Sequence, residues 1–227
     1  MYEYVKRSEY QPVRLELEEI IQKVHRYMKK EFGITFQHKL IGSGKRHLIT
    51  RIKGGNKGFD FDYNFLLPCP SEKSTYNAKA LKLYFIEALK NALEGTKYSN
   101  PQDSTSAITI KVADKLKSSV LHSCDFAIIY YPEDSNSDSY YYIKNYKSQK
   151  CYSFEQRALP HCTDENLKYI LGSSDGWNKI REEYIKLKNR NSDNNKRSFD
   201  LYTEAINNVF NQMTRFILVR DNNGLPI

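Results

Sequence analysis

The chain has 227 residues, of which 40% are hydrophobic and 27% charged, and this composition excludes a fibrous or disordered protein. No apolar run reaches the length of a membrane span, and the first residues lack the apolar stretch of a secretory signal. We therefore expect a cytoplasmic globular protein with no membrane partner. The formal net charge of +8 favours anionic partners such as nucleotides or RNA without establishing them.

The predicted elements alternate between helix and strand up to about residue 150, which indicates a mixed α/β (α+β) fold. Helical spacing predicts helices over Val13–Phe32 and Ser74–Leu93. The predicted strands are Ile34–Ile41, Phe59–Leu67, Ala107–Val112, His122–Tyr131 and Tyr140–Tyr146. Further helices are predicted over Asp164–Leu171, Gly176–Asn189 and Phe199–Phe216. We therefore expect a mixed core with an N-terminal helix over residues 1–150, followed by a C-terminal helical region over residues 151–227.

Cysteine spacing argues against a zinc site, because none of the four cysteines forms a C-x-x-C pair. In a reducing compartment, Cys69, Cys124, Cys151 and Cys162 are expected to be free thiols.

A glycine-containing segment, IGSGKRHLIT at Ile41–Thr50, is similar in composition to a phosphate-binding loop. A Walker loop would need glycine at position 39, which is Lys39, and a hydroxyl residue after Lys45, which is Arg46. A dinucleotide-binding loop would need glycine where His47 stands. The segment is therefore neither of these two loops.

Two carboxylates follow the loop in the predicted strand FDFDYNF, where Asp60 and Asp62 alternate with aromatic residues. Residues two apart on a strand face the same side, so these carboxylates project together and repel each other. A divalent cation with a preference for oxygen ligands, such as Mg²⁺, would remove that repulsion. The alternative is an edge strand whose two carboxylates face water.

The order of these pieces resembles the polymerase-β-like nucleotidyltransferase superfamily, with the cyclic-GMP-AMP-synthase-like branch as one placement. The matching pieces are Ile41-Gly42-Ser43, then a spacer, then Asp60-Phe61-Asp62 between aromatic residues. The resemblance also implies a third acidic residue on a later strand, and HSCDFAIIYY supplies Asp125. It covers about residues 34–131, and its spacer, Gly44–Phe59, is longer than is usual in that superfamily.

The resemblance implies a magnesium-dependent enzyme that transfers a nucleoside monophosphate from an NTP, ATP among them, to an acceptor hydroxyl. Asp60, Asp62 and Asp125 would hold two Mg²⁺ ions, with Mn²⁺ as an alternative. Gly42 and Ser43 would contact the triphosphate. Lys45 and Arg46 would add positive charge, unless they are solvated surface residues. The acceptor stays open between a nucleotide, RNA, a protein and a small molecule.

The resemblance also implies that the C-terminal helices form the second wall of the nucleotide cleft. There Trp177 is expected to pack against its own helix rather than stack on a base. Two other interpretations remain: a non-catalytic, basic RNA- or protein-binding module on the same fold, and an accidental match in an unrelated α/β protein. Three clustered carboxylates argue against the non-catalytic module, which has no need of them.

Overall fold

The computed structural model describes residues 1–71, 75–114, 116–133, 138–159, 164–191 and 195–222, with side chains up to residue 214. Ser74, where the second helix was expected to begin, and Cys162 lie outside these ranges. The helices are α1 (Arg7–Phe32), α2 (Gly42–Lys45), α3 (Ala78–Ala92), α4 (Asp164–Leu171), α5 (Gly176–Arg190) and α6 (Ser198–Asn222). The strands are β1 (Tyr2–Tyr4), β2 (Gln37–Ile41), β3 (Thr50–Ile52), β4 (Phe59–Leu66), β5 (Gln102–Asp103), β6 (Ile108–Asp114), β7 (Ser119–Tyr130), β8 (Ser139–Tyr146) and β9 (Cys151–Ala158).

The chain divides into two compact units. The larger unit comprises Val5–Leu159 and contains the sheet together with α1 to α3. The smaller unit joins Met1–Tyr4 to the residues from position 160 onward, and its helices are α4 to α6. None of the described helices is both long and apolar enough to span a membrane.

The larger unit is built on a mixed sheet whose strands run in the order β2-β4-β7-β6-β5. Strand β8 pairs with the end of β7, and β9 pairs with β8. The pair β4–β7 is parallel, whereas the other pairs of this sheet are antiparallel. The α+β fold class predicted from the sequence is thereby confirmed.

Helices α1 and α3 pack against each other and share one hydrophobic core with the sheet. The aromatic residues of β4 alternate with polar ones and are buried at 4% exposure or less, as strand periodicity requires. Phe85 of α3 stacks on Phe65 of β4 with ring centroids 5.2 Å apart. One face of β4 is thus fixed by aromatic packing, and its polar face is directed away from this core.

Helix α1 begins at Arg7, six residues before the predicted start at Val13, and Pro12 lies within it. Proline normally ends or kinks a helix, which is why the sequence pattern placed the start later. The helix ends at Gly33 as predicted, where a φ of +65° lets the backbone turn and its N–H donate to Lys29.

The C-terminal helical region was expected to begin at residue 151, but Cys151–Ala158 form strand β9. This strand pairs with β8 along its whole length, from Ser139 opposite Ala158 to Tyr146 opposite Cys151. Its side chains are half-buried or exposed, so it lacks the apolar alternation by which a strand is recognised. Helical structure begins at Asp164, and α4 has the predicted bounds.

The glycine-rich segment between β3 and β4 is attached to the start of β7. The N–H of Val120 donates to the carbonyl of Asn56 at 2.8 Å. Gly58 has a φ of +63°, and a Cβ atom placed on it would lie 2.2 Å from the carbonyl oxygen of Leu121. Only glycine fits this close approach, which fixes the point where β4 starts.

Candidate active site

Strand β4 carries two of the predicted site residues on its polar face. Asp60 is exposed and Asp62 is half-buried, while their neighbours Phe59, Phe61 and Tyr63 are buried. Strand β7 runs parallel to β4, and their pairing places Asp62 directly opposite Asp125. The three predicted carboxylates are thereby brought to one face of two adjacent strands.

The electrostatics of Asp62 reflect this crowding. Burial, followed by the charges of Asp60 and Asp125, raises the pKa of the Asp62 carboxyl to about 7. Such a cluster of like charges favours either a proton or a bound cation.

The predicted phosphate-binding turn lies directly against Asp62. Strand β2 ends with Ile41 opposite Asp62, and the chain then turns through α2. Gly42 has a φ of +61°, and a Cβ atom on it would lie 2.7 Å from Oδ2 of Asp62. The turn and the carboxylate therefore form one continuous surface. Ser43, the next residue, is half-buried, and its carbonyl accepts from the N–H of Leu48 at 2.9 Å.

The two basic residues of the turn are placed differently from each other. Lys45 is exposed at the end of α2. Arg46 donates from Nη1 to the carbonyl oxygen of Gly42 at 3.1 Å, so its guanidinium stabilises the turn itself. The structure thus brings Gly42 to the carboxylates, places Ser43 next to it in the turn, and gives Arg46 a contact within the turn.

Asp125 has hydroxyl partners that the sequence did not reveal. Thr109 lies opposite Asp125 on β6, and its hydroxyl donates to Oδ1 of Asp125 at 2.5 Å. The hydroxyl of Ser104 lies 2.8 Å from that of Thr109. Asp125 therefore stands between Asp62 on one neighbouring strand and Thr109 on the other.

A cleft of about 150 Å³ opens beside these carboxylates. Its lining includes Asp62, Asp125, Asn64, Tyr142 and Arg157. The guanidinium of Arg157 lies over the ring of Tyr142, 4.2 Å from its centroid. This geometry holds a fixed positive charge at a cleft that otherwise carries negative charge.

Arg157 was missed because residues 151–158 were taken to begin the helical region. The available signal was the alternation of Tyr152 and Phe154 with polar residues just after the turn Lys147–Lys150. That pattern is typical of the second strand of a hairpin.

The side chains at the site fit a hard divalent cation in chemical type, since they offer carboxylate oxygens close to a backbone turn. The repulsion that raises the pKa of Asp62 is the charge that such a cation would neutralise. As the side chains stand, however, no three His, Cys, Asp or Glu residues in the described part of the chain form a ready-made metal site.

No protein-family model matches the sequence, and a comparison with curated proteins finds no match. Solved structures, in contrast, match clearly. The cyclic AMP-GMP synthase DncV of Vibrio cholerae superimposes with a TM-score of 0.51 at 11% identity, over 81% of this chain and 61% of that protein. CdnC of E. coli MS115-1, solved with ATP, superimposes with a TM-score of 0.50 at 14% identity, over 88% of this chain and 59% of that protein.

The chain thus spans less than two thirds of the length of either solved structure. At these identities the comparison shows the fold. The chain shares its fold with DncV and CdnC, and this agrees with the fold that the resemblance in the sequence implies.

Proposed function

We propose that the unit Val5–Leu159 is a magnesium-dependent nucleotidyltransferase module that transfers a nucleoside monophosphate from an NTP to an acceptor hydroxyl. The observation that carries the proposal is the pairing of Asp62 with Asp125 on parallel strands, closed on one side by the turn at Gly42. The fold shared with an ATP-bound protein and with a cyclic dinucleotide synthase supports the same class of reaction.

In this proposal Asp60, Asp62 and Asp125 hold Mg²⁺, or Mn²⁺ in its place. When bound, the metal neutralises the triphosphate and lowers the pKa of the acceptor hydroxyl. The acceptor oxygen attacks the α-phosphorus, the bond to the bridging oxygen breaks, and pyrophosphate leaves. The hydroxyl proton passes to a carboxylate of the site or to water.

The remaining residues bind and orient the substrates. Gly42 lets phosphate oxygens approach the backbone of the turn, and the Ser43 hydroxyl donates to one of them. Arg46 keeps the turn in shape through the Gly42 carbonyl. Arg157, held on Tyr142 at the edge of the cleft, supplies charge to a phosphate group. Lys45 lies exposed and serves at most as an outer contact for the triphosphate.

The test is calorimetric binding of non-hydrolysable ATP, GTP, CTP and UTP analogues, with Mg²⁺ or with EDTA. We expect binding that depends on Mg²⁺ and that weakens at least about tenfold in Asp62→Asn. The reason is that removing one of the negative charges at a metal site has effects of that order. Asp114→Asn is the matched control, since Asp114 ends β6 away from the cleft.

Release of pyrophosphate with a panel of nucleotide, RNA, protein and small-molecule acceptors then identifies the acceptor class. Binding that is absent, or that EDTA leaves unchanged, would contradict the proposal. It would favour the non-catalytic basic module, for which RNA binding is the next measurement.

A further inference from the structure

A lysine is buried in the first half of helix α3. Lys82 is 1% exposed, and the buried residues around it on the helix, Leu81 and Phe85 among them, are apolar. An ammonium group in such surroundings is strongly destabilising unless it is paired and hydrogen-bonded. Its partners therefore indicate what the lysine is for.

Among the residues that the structure describes, the Lys82 ammonium contacts one short turn, Asp103–Ala107, which connects β5 to β6. Its Nζ donates to the carbonyl of Ala107 at 2.9 Å and to that of Ser104 at 3.4 Å. It also pairs with Oδ1 of Asp103 at 3.5 Å. Burial lowers the pKa of Lys82, while the charges of Asp103 and then Asp125 act in the opposite direction.

The same turn is held from the other side by the hairpin of β8 and β9. The N–H of Asn145 donates to the carbonyl of Thr105 at 2.7 Å, and its side-chain amide donates to Oδ2 of Asp103 at 2.8 Å. The hydroxyl of Tyr152 donates to the same Oδ2 at 2.6 Å. The turn is therefore fixed between helix and hairpin, with Lys82 as its positively charged support.

The turn leads directly to a carboxylate of the site. Thr109 donates its single hydroxyl hydrogen to Asp125, so the hydroxyl of Ser104 must be the donor in the 2.8 Å contact between Ser104 and Thr109. The direction of both hydrogen bonds is thus determined: Ser104 donates to Thr109, and Thr109 donates to Asp125. A displacement of Ser104 would leave Thr109 free to rotate away from Asp125.

We propose that Lys82 is a positioning residue for the candidate active site, which it affects by holding the Asp103–Ala107 turn so that Ser104 and Thr109 orient Asp125. The inference rests on the proposed function in so far as Asp125 is a metal ligand there. A buried ion pair contributes little net stability compared with well-packed apolar residues, so its presence here is consistent with a role in geometry.

The first test needs neither metal nor substrate. Threonine-methyl NMR of Lys82→Met should shift or broaden the Thr109 signal, identified by its loss in Thr109→Val. The Thr96 signal, whose hydroxyl donates to Leu93 at the end of α3, should stay in place. Lys79→Met is the matched control, because Lys79 is an exposed residue of the same helix. A purely structural lysine would lower the melting temperature without moving Thr109 selectively.

The second test is the Mg²⁺ concentration for half-maximal binding of an NTP analogue. Partners of metal ligands typically affect metal affinity 10–100-fold, so we expect an increase of about tenfold in Thr109→Val and about fivefold in Lys82→Met, and none in Lys79→Met. An unmoved Thr109 signal in folded Lys82→Met would overturn the inference.

If Lys82→Met does not fold, Asp103→Asn takes its place, because it removes the charge that Lys82 pairs with. In that variant, too, the Thr109 signal should move and the Mg²⁺ concentration for half-maximal binding should rise. If the wild-type protein shows no Mg²⁺-dependent binding, the proposed function fails. The Thr109 signal alone then decides whether Lys82 orders the hydrogen bonds to Asp125.

Discussion

Two separate features disfavour a side chain at Gly42. Its φ of +61° is unfavourable for other residues, and its Cα faces Oδ2 of Asp62. Gly33, with a φ of +65° and no atom within 4 Å of an added Cβ, has only the first of these features. The two glycines therefore allow backbone strain to be separated from contact with the carboxylate.

We predict that Gly33→Ala and Gly42→Ala each lower the free energy of unfolding by about 1–2 kcal/mol, the usual cost of a left-handed conformation. Only Gly42→Ala should also weaken Mg²⁺-dependent nucleotide binding, since its methyl group displaces Asp62. Urea denaturation and calorimetry measure the two effects. Equal loss of binding in both variants would show that Asp62 is not affected through this contact.

At the scale of elements, the hairpin of β8 and β9 contributes the positive charge of the cleft. We predict that Arg157→Gln weakens binding of an NTP analogue about tenfold, as expected for loss of a charged contact of 1–2 kcal/mol. Its stability should change little, because Arg157 is exposed. Lys144→Gln is the control: Lys144 lies 4.3 Å from the Tyr146 ring on the same hairpin but does not line the cleft. Similar losses in both variants would argue for a general charge effect.

A strand can be predicted from the sequence when one of its faces is buried and apolar along its whole length and the other face is polar. Strand β4 was placed to within one residue because buried aromatics alternate with carboxylates along its length. Strand β9 was missed because neither of its faces is fully buried. The carboxylates Asp60, Asp62 and Asp125 could be proposed from motif spacing. The roles of Thr109 and Arg157 depend on strand pairing, and that of Lys82 on the packing of α3 against a distant turn, and a single sequence contains neither.

At the scale of the molecule, His122 and Asp62 give the free energy of unfolding opposite dependences on pH. Burial, with Lys97 adding to it, lowers the pKa of His122 to about 4, so its protonation between pH 7 and pH 5 favours the unfolded chain. The pKa of Asp62 is raised to about 7, so the folded protein takes up this proton first and acidification favours folding. In the absence of metal the two contributions largely cancel.

We therefore predict that in EDTA the Asp62→Asn variant loses about 2 kcal/mol of stability between pH 7 and pH 5, because the His122 contribution is then no longer offset. The His122→Asn variant should instead gain stability over the same range. Urea denaturation at each pH measures both slopes. If the free energy of unfolding changed with pH in the same way in both variants, His122 and Asp62 would not be the groups responsible.

The contact of Gly58 with β7 has a consequence for how the protein tolerates insertions. The segment before it joins β3 to β4, and extra residues between Lys53 and Gly55 would lengthen an exposed loop and leave the sheet unchanged. One extra residue after Gly58 is different, because it comes after the point at which the chain is attached to Leu121. If it moved β4 by one position against β7, strand alternation would turn Asp60 and Asp62 into the aromatic core and bring Phe61 to the surface. The contact at Gly58 thus fixes the register that places the carboxylates on one face of β4. We expect insertions and deletions in related chains to fall before Gly58 rather than between Gly58 and β4.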